Sequence, residues 1–167
     1  MQLVGGWKVV IDVAETVPAP PEILWELITD WEHQGDWMLE ASDFEVVSRE
    51  REGIGVEAEA TVRIGGITTR DVVRVVAWEP DRHLAIAHGG WVSGRGDIHL
   101  TRLGADLTHV FWREELHPPL GALGAIGLTA LRPVMAHVFR RDLRVLRGLA
   151  RARWKREQLA PAFRPRM

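Results

Sequence analysis

The 167-residue sequence predicts an α+β domain, and three observations carry that reading. Apolar and polar residues alternate with a period of two from about residue 43 to 117, the pattern of half-buried antiparallel strands. A short amphipathic helix precedes this block, and one long arginine-studded helix follows it. Helices gathered on one face of a curved antiparallel sheet leave a gap between sheet and helix, a natural hydrophobic pocket.

The first strand is read over residues 7–17, "WKVVIDVAETV", with Trp7, Val9, Ile11 and Val13 on one face. "PAPPE" then opens a helix, because proline's missing N–H would be unpaired in a first helical turn anyway. Ile23, Leu24, Leu27, Ile28 and Trp31 recur at helical spacing until Gly35 breaks the pattern. "DFEVVSRE" is expected as a strand, and "VEAEATVRI" places Val56, Ala58, Ala60, Val62 and Ile64 on one side of the next. "IGGI" is a hairpin signal, since the favoured two-residue turns need positive φ, which glycine adopts freely. Counting outward pairs Ile64 with Ile67, Val62 with Thr69, Ala60 with Asp71 and Ala58 with Val73, so Asp71 lands on the apolar face.

"HLAIAHGGWV" is the next strand, with Leu84, Ile86 and His88 sharing a face and two glycines permitting a bend. Two strands follow around "LGAD". An odd connection keeps Ile98 and Leu100 with Thr108, Val110, Trp112 and Glu114, and leaves His99 and His109 together outside. The last helix is expected from about Leu120 to Trp154. Its stripe is Leu128, Leu131, Met135, Val138, Phe139, Leu146, Leu149 and Trp154, while Arg140, Arg144, Arg147 and Arg151 face away. Asp142 violates the stripe: at 100° per residue it falls between Val138 and Phe139 and points inward.

Composition excludes several classes. With no cysteine there is no disulfide scaffold, thiol nucleophile or cysteine-containing zinc site. The N-terminus shows no secretory signal pattern, and a cytoplasmic location is expected. "GALGAIG" lacks the lysine and hydroxyl residue of a phosphate loop. Pro118 to Leu131 is short of the roughly 20 apolar residues of a membrane span, so stable insertion is not expected, and surface contact stays open only as a minor option. Residues 1–131 hold 10 Lys/Arg against 21 Asp/Glu, and residues 132–167 hold 11 against 2. The halves should attract as a cationic helix beside an acidic sheet, with no nucleic acid as partner. Monomer and dimer both stay open.

The chemistry-bearing residues are the polar groups expected to face inward: Asp71, His88, Glu114 and Asp142. Buried carboxylates must be paired or protonated, and histidine shuttles protons near neutrality, so these four are the catalytic candidates. The same faces predict a ligand-binding wall of Trp37, Val62, Val73, Ile86, His88, Trp91, Ile98, Val110, Trp112, Glu114, Met135 and Phe139. Trp37, after a helix break, and Trp91, after Gly-Gly, are the expected gates, whereas Trp25 and Trp31 are expected in the core. The His99/His109 pair is too poor a ligand set to predict a metal.

The order of "PAPPEILWELITDWEHQGDW", "THVFWREEL" and "LGALGAIGLTALRPVMAHVFRRDLRVLRGL" resembles the START-like (SRPBCC) superfamily, specifically its polyketide cyclase/dehydrase and lipid transport members. The resemblance implies a helix-grip fold, a bent antiparallel sheet around a long C-terminal helix with an internal hydrophobic cavity. The resemblance runs from about Trp7 to Trp154, so a START-like ligand-binding domain is expected over residues 1–156 with no cofactor, while the closing "LAPAFRPRM", with two prolines and no periodicity, is read as part of a flexible tail over 157–167. The partner it implies is a hydrophobic small molecule such as a lipid, isoprenoid or polyketide, with a cyclase or aromatase activity as the alternative. The superfamily shares no catalytic residues, so none is carried over.

Overall fold

A computed structural model describes residues 7–64 and 66–160 of the chain. In order, the elements are β1 (Val9–Val17), α1 (Pro21–Thr29), a 3₁₀ turn (Trp31–Asp36), β2 (Ala41–Val46), β3 (Glu57–Ile64), β4 (Ile67–Glu79), β5 (His83–Gly89), β6 (Ser93–Gly104), β7 (Leu107–His117) and α2 (Gly121–Leu159). The strands form one antiparallel sheet ordered β1-β7-β6-β5-β4-β3-β2. This sheet curls around α2, which gives the helix-grip architecture.

The hairpin register holds throughout: Ile64 faces Ile67, Val62 faces Thr69, Ala60 faces Asp71 and Ala58 faces Val73. Gly66 adopts φ 80°, the positive value the turn requires, while Gly65 lies outside the described residues. The odd register of the β6–β7 hairpin holds too, with Ile98 opposite Trp112 and Leu100 opposite Val110. A bulge between Arg102 and Gly104 absorbs the extra residue.

Four local expectations need correction. Trp7 precedes β1 and is exposed, so the buried face of that strand is Val9, Ile11 and Val13. β2 spans 41–46 rather than 43–50, because Asp43 takes a left-handed backbone (φ 55°) within a register shift. Ser48 Oγ then accepts from the Glu57 N–H at 3.0 Å. The long helix reaches Leu159, five residues past Trp154, and residues 161–167 of the expected tail lie outside the described residues. Trp37 is no gate: it is 2% exposed, with its ring edge-on to Trp112 at 6.0 Å.

The core sits where α1 and the second half of α2 press on the sheet. Ile11, Leu24, Ile28, Val110, Leu143 and Leu146 are all essentially inaccessible. Each such side chain contributes about 1.5–3 kcal/mol on leaving water. Trp25 and Trp31 are buried as expected and share Trp78 as a partner, at 5.0 and 6.5 Å. The charge asymmetry closes as ion pairs, with Arg147 on Glu15 at 3.2 Å and Arg153 on Glu26. Thr108, fully buried, donates to the Ala19 carbonyl at 2.8 Å and ties β7 to the start of α1. Thr108→Val leaves that carbonyl without its donor and is expected to cost about 1–3 kcal/mol, measurable by urea denaturation.

Candidate functional site

The cavity lies between the sheet and the first half of α2, with a volume of about 210 Å³. Its apolar wall includes Val62, Trp91, Trp112, Leu128, Met135 and Phe139, and Asp71, His88 and Glu114 interrupt that wall. Seven of the twelve residues of the expected wall therefore line it: Val62, His88, Trp91, Trp112, Glu114, Met135 and Phe139. Trp37, Val73, Ile86, Ile98 and Val110 do not. Ile98, Val110 and Trp37 are instead buried in the core cluster, and Ile86 packs against it. Strand alternation tells which face a residue takes, not where along that face the helix lifts off.

His88 is the centre of the polar group. On β4 and β5, Asp71 sits diagonally across from His88, and its Oδ2 lies 2.7 Å from Nδ1. Gly90 donates its backbone N–H to Asp71 Oδ1 at 3.1 Å, and a Cβ on Gly90 would sit 2.8 Å from that oxygen. Glu114 belongs to β7, two strands from His88, yet its Oε1 is 2.7 Å from Nε2. The intervening strand carries glycines at the two paired positions, Gly94 opposite His88 and Gly96 opposite Glu114. A Cβ on Gly96 would lie 2.7 Å from Glu114 Oε2, so only glycine keeps the crossing open. Trp112 Nε1 donates to Glu114 Oε2 at 2.9 Å and fixes the carboxylate. The Trp112 ring stacks on Phe139 at 4.6 Å.

Burial alone would lower the pKa of His88, but the Glu114 charge and the bond to Asp71 outweigh it and push it up to about 10. The ring is thus an imidazolium at neutral pH. It is not a free base. Its Nδ1 is well engaged, whereas the Nε2 proton has Glu114 close by but not along the N–H direction. The N–H is fixed in the ring plane, so it meets an oxygen in the cavity only when the ring itself shifts.

Asp142, the fourth candidate, is fully buried but does not line the cavity. It meets Glu40, a cavity residue that the sequence pattern did not single out. Arg141 bridges the two, with Nη2 3.0 Å from Glu40 Oε2 and 3.0 Å from Asp142 Oδ1. Burial first, then contact with Asp142, raises the Glu40 pKa to about 8 against the opposing pull of Arg141. Glu40 falls in an irregular stretch between the 3₁₀ turn and β2, where neither period applies.

Two further features lie apart. A larger depression of about 560 Å³, lined by Asp30, His33, Asp36, Arg153, Arg156 and Glu157 among others, is a charged surface groove rather than an apolar enclosure. On the outer sheet face His99 stacks on His83 at 4.1 Å, not on His109, because β5 and β6 pair those two positions. Asp97 joins them, with all three ligand atoms within 4.8 Å. The ring planes are only 4° apart, so their in-plane lone pairs do not converge, and Asp97 already holds the Arg95 guanidinium.

The glycine run that opens α2 has two characters. A Cβ at Gly124 would clash with the Pro119 carbonyl at 1.8 Å, so there the backbone is closely approached. Leu120, Leu123 and Ile126 stand in solvent at 77%, 77% and 68% exposure. Trp91 and Ile67, which line the cavity, are also exposed, at 63% and 49%.

Curved sheet, gripping helix and apolar cavity define a START-like fold of the hydrophobic-ligand-binding kind. The chain belongs to the polyketide cyclase/dehydrase and lipid transport family, whose sequence pattern it matches over residues 8–151. No curated protein matches it. Among solved structures, Zhui aromatase/cyclase from Streptomyces sp. R1128 superposes with a TM-score of 0.75 at 19% identity, covering 87% of this chain and 95% of that one. A START superfamily protein from Mycobacterium smegmatis gives 0.64 at 15% identity, over 88% and 97%. Truncated norcoclaurine synthase from Thalictrum flavum gives 0.67 at 15%, over 89% and 97%. At these identities the likeness is one of fold.

Proposed function

We propose that this protein binds a compact hydrophobic small molecule, of lipid, isoprenoid or polyketide type, for carriage or sequestration. The supporting observation is an apolar cavity with one buried charged centre, His88 between Asp71 and Glu114. Burying a charged triad is costly, and an apolar wall around it suits a ligand that is mostly hydrocarbon with an oxygen to orient. The volume is below the roughly 300–1,000 Å³ of drug-sized pockets, which favours a small ring system over a long chain. Trp112 and Trp91 in the wall provide the test, by titration of intrinsic fluorescence with fatty acids, sterols, quinones and aromatic polyketides. Saturable quenching by the aromatic members is expected in the wild type and not in Met135→Trp, which fills the cavity. No response to any class contradicts the reading.

A second reading, a cyclase or aromatase, is supported by the state of His88. An imidazolium whose ring shifts toward the ligand can donate its Nε2 proton to a carbonyl oxygen as a new carbon–carbon bond forms, acting as general acid. Turnover of a reactive poly-β-carbonyl compound, lost in His88→Gln while binding persists, is the outcome that would favour it over carriage.

A further inference from the structure

We propose that the Glu40–Asp142 carboxyl pair is a second polar subsite of the cavity, holding a carbonyl or hydroxyl oxygen of the ligand on the β2 side, away from His88. The proposal rests on the cavity being a ligand site and adds what the ligand must look like.

The geometry carries it. Glu40 lines the cavity at 8% exposure, and Asp142 behind it is at 0%. One guanidinium, that of Arg141, meets both carboxyls through Glu40 Oε2 and Asp142 Oδ1. Glu40 Oε1 and Asp142 Oδ2 are buried and receive no hydrogen bond from the described residues. Two carboxyls against one cation leave room for one shared proton, and the elevated pKa of Glu40 agrees with its being the acid of the pair at neutral pH. A buried carboxylic acid in the cavity wall, with Oε1 unmatched, is both donor and acceptor, and leaving it so is costly. An oxygenated ligand relieves that cost.

The position of the pair sets the ligand class. Glu40 is anchored at the sheet edge, where its carbonyl accepts from Arg63 N at 2.8 Å, and His88 is three strands away. Three inter-strand spacings are about 14 Å along the sheet, less across its concave face. A ligand reaching both poles is a fused ring system with oxygens at opposite ends. One with a single polar end uses only one pole.

The experiment is equilibrium dialysis of naphthalene, 2-naphthol and 2,6-dihydroxynaphthalene against wild type, Glu40→Leu and Glu40→Gln, each shown folded by circular dichroism. The expected result is that the diol binds wild type about tenfold more tightly than the mono-ol, a gain per hydrogen bond in the range buried polar matches provide. That gain should fall below about twofold in Glu40→Leu and persist in part in Glu40→Gln, whose amide still donates and accepts. A diol gain absent from wild type, or unchanged in Glu40→Leu, overturns the subsite while naphthalene binding leaves the cavity reading standing. Failure of all three probes to bind wild type overturns both.

Discussion

Replacing His88 with leucine is expected to lower the unfolding free energy by about 3–5 kcal/mol near pH 7, the usual cost of removing one partner from a buried ion pair. The size follows from what is left behind. Asp71 and Glu114 remain in an apolar wall with Gly90 N and Trp112 Nε1 as donors but without their shared cation. The pH dependence gives the effect a signature. The folded-state pKa of His88 is raised from 6.5 to about 10, so the group's stabilisation is fully present below pH 6.5 and is lost as the pH rises through 10. Urea unfolding at pH 6.5, 8 and 10 should therefore show the gap between wild type and His88→Leu closing across that window. A constant gap would mean that leucine perturbs packing rather than charge.

Glu40→Gln is expected to do the opposite. The carboxyl is raised from 4.5 to about 8, so the folded protein keeps a proton that the unfolded chain releases. For an acid shifted this way the cost is absent below pH 4.5, grows as the pH rises to about 8, and is constant above that. Glutamine is neutral throughout, retains an oxygen for Arg141 and offers an N–H to Asp142. Discounting the full shift for relaxation, the variant should be more stable than wild type by about 2–4 kcal/mol at pH 8 and equal to it near pH 4.5. Thermal melts across that range test this, and a variant less stable at pH 8 would show that the acid is not held protonated.

The fold was readable wherever one period ran uninterrupted. The glycine pair of "IGGI" sets Asp71 opposite Ala60, and the odd β6–β7 connection sets Glu114 on the face of Trp112. With the alternation that puts His88 on the face of Leu84 and Ile86, Asp71, His88 and Glu114 are all expected on the apolar side of the sheet, which is where they meet. The helical angle of Asp142 likewise marks it as buried. Less readable was anything set by the third dimension. Ile98 and Val110 share a face with Trp112 but lie where the helices press on the sheet, so they became core. The partner of His99 turned on the β5–β6 register, which no turn signal specified. Glu40 sits between elements, where no periodicity assigns a direction. One signal was available and unused: the "GRG" of β6, whose second glycine leaves room for the Glu114 carboxylate that meets a histidine across the strand.

The exposure of Leu120, Leu123 and Ile126 separates the start of α2 from the rest of it. Its second half packs into the core through Leu143 and Leu146, its middle lines the cavity through Leu128, Leu131, Met135 and Phe139, and most of its first turns are solvent-exposed. The glycines there permit a helix that is closely approached at Gly124 and open at Gly127. The apolar run "LGALGAIGL" is thus mostly exposed, not a packed seam.

The central claim is that the space around His88 holds a small apolar molecule. Native mass spectrometry of the protein recovered from its own cells, compared with Met135→Trp recovered the same way, tests it most directly. The account predicts a wild-type species heavier than the bare chain by one compact ligand, absent from the filled variant. The bare mass in both, or the same adduct in both, would contradict it.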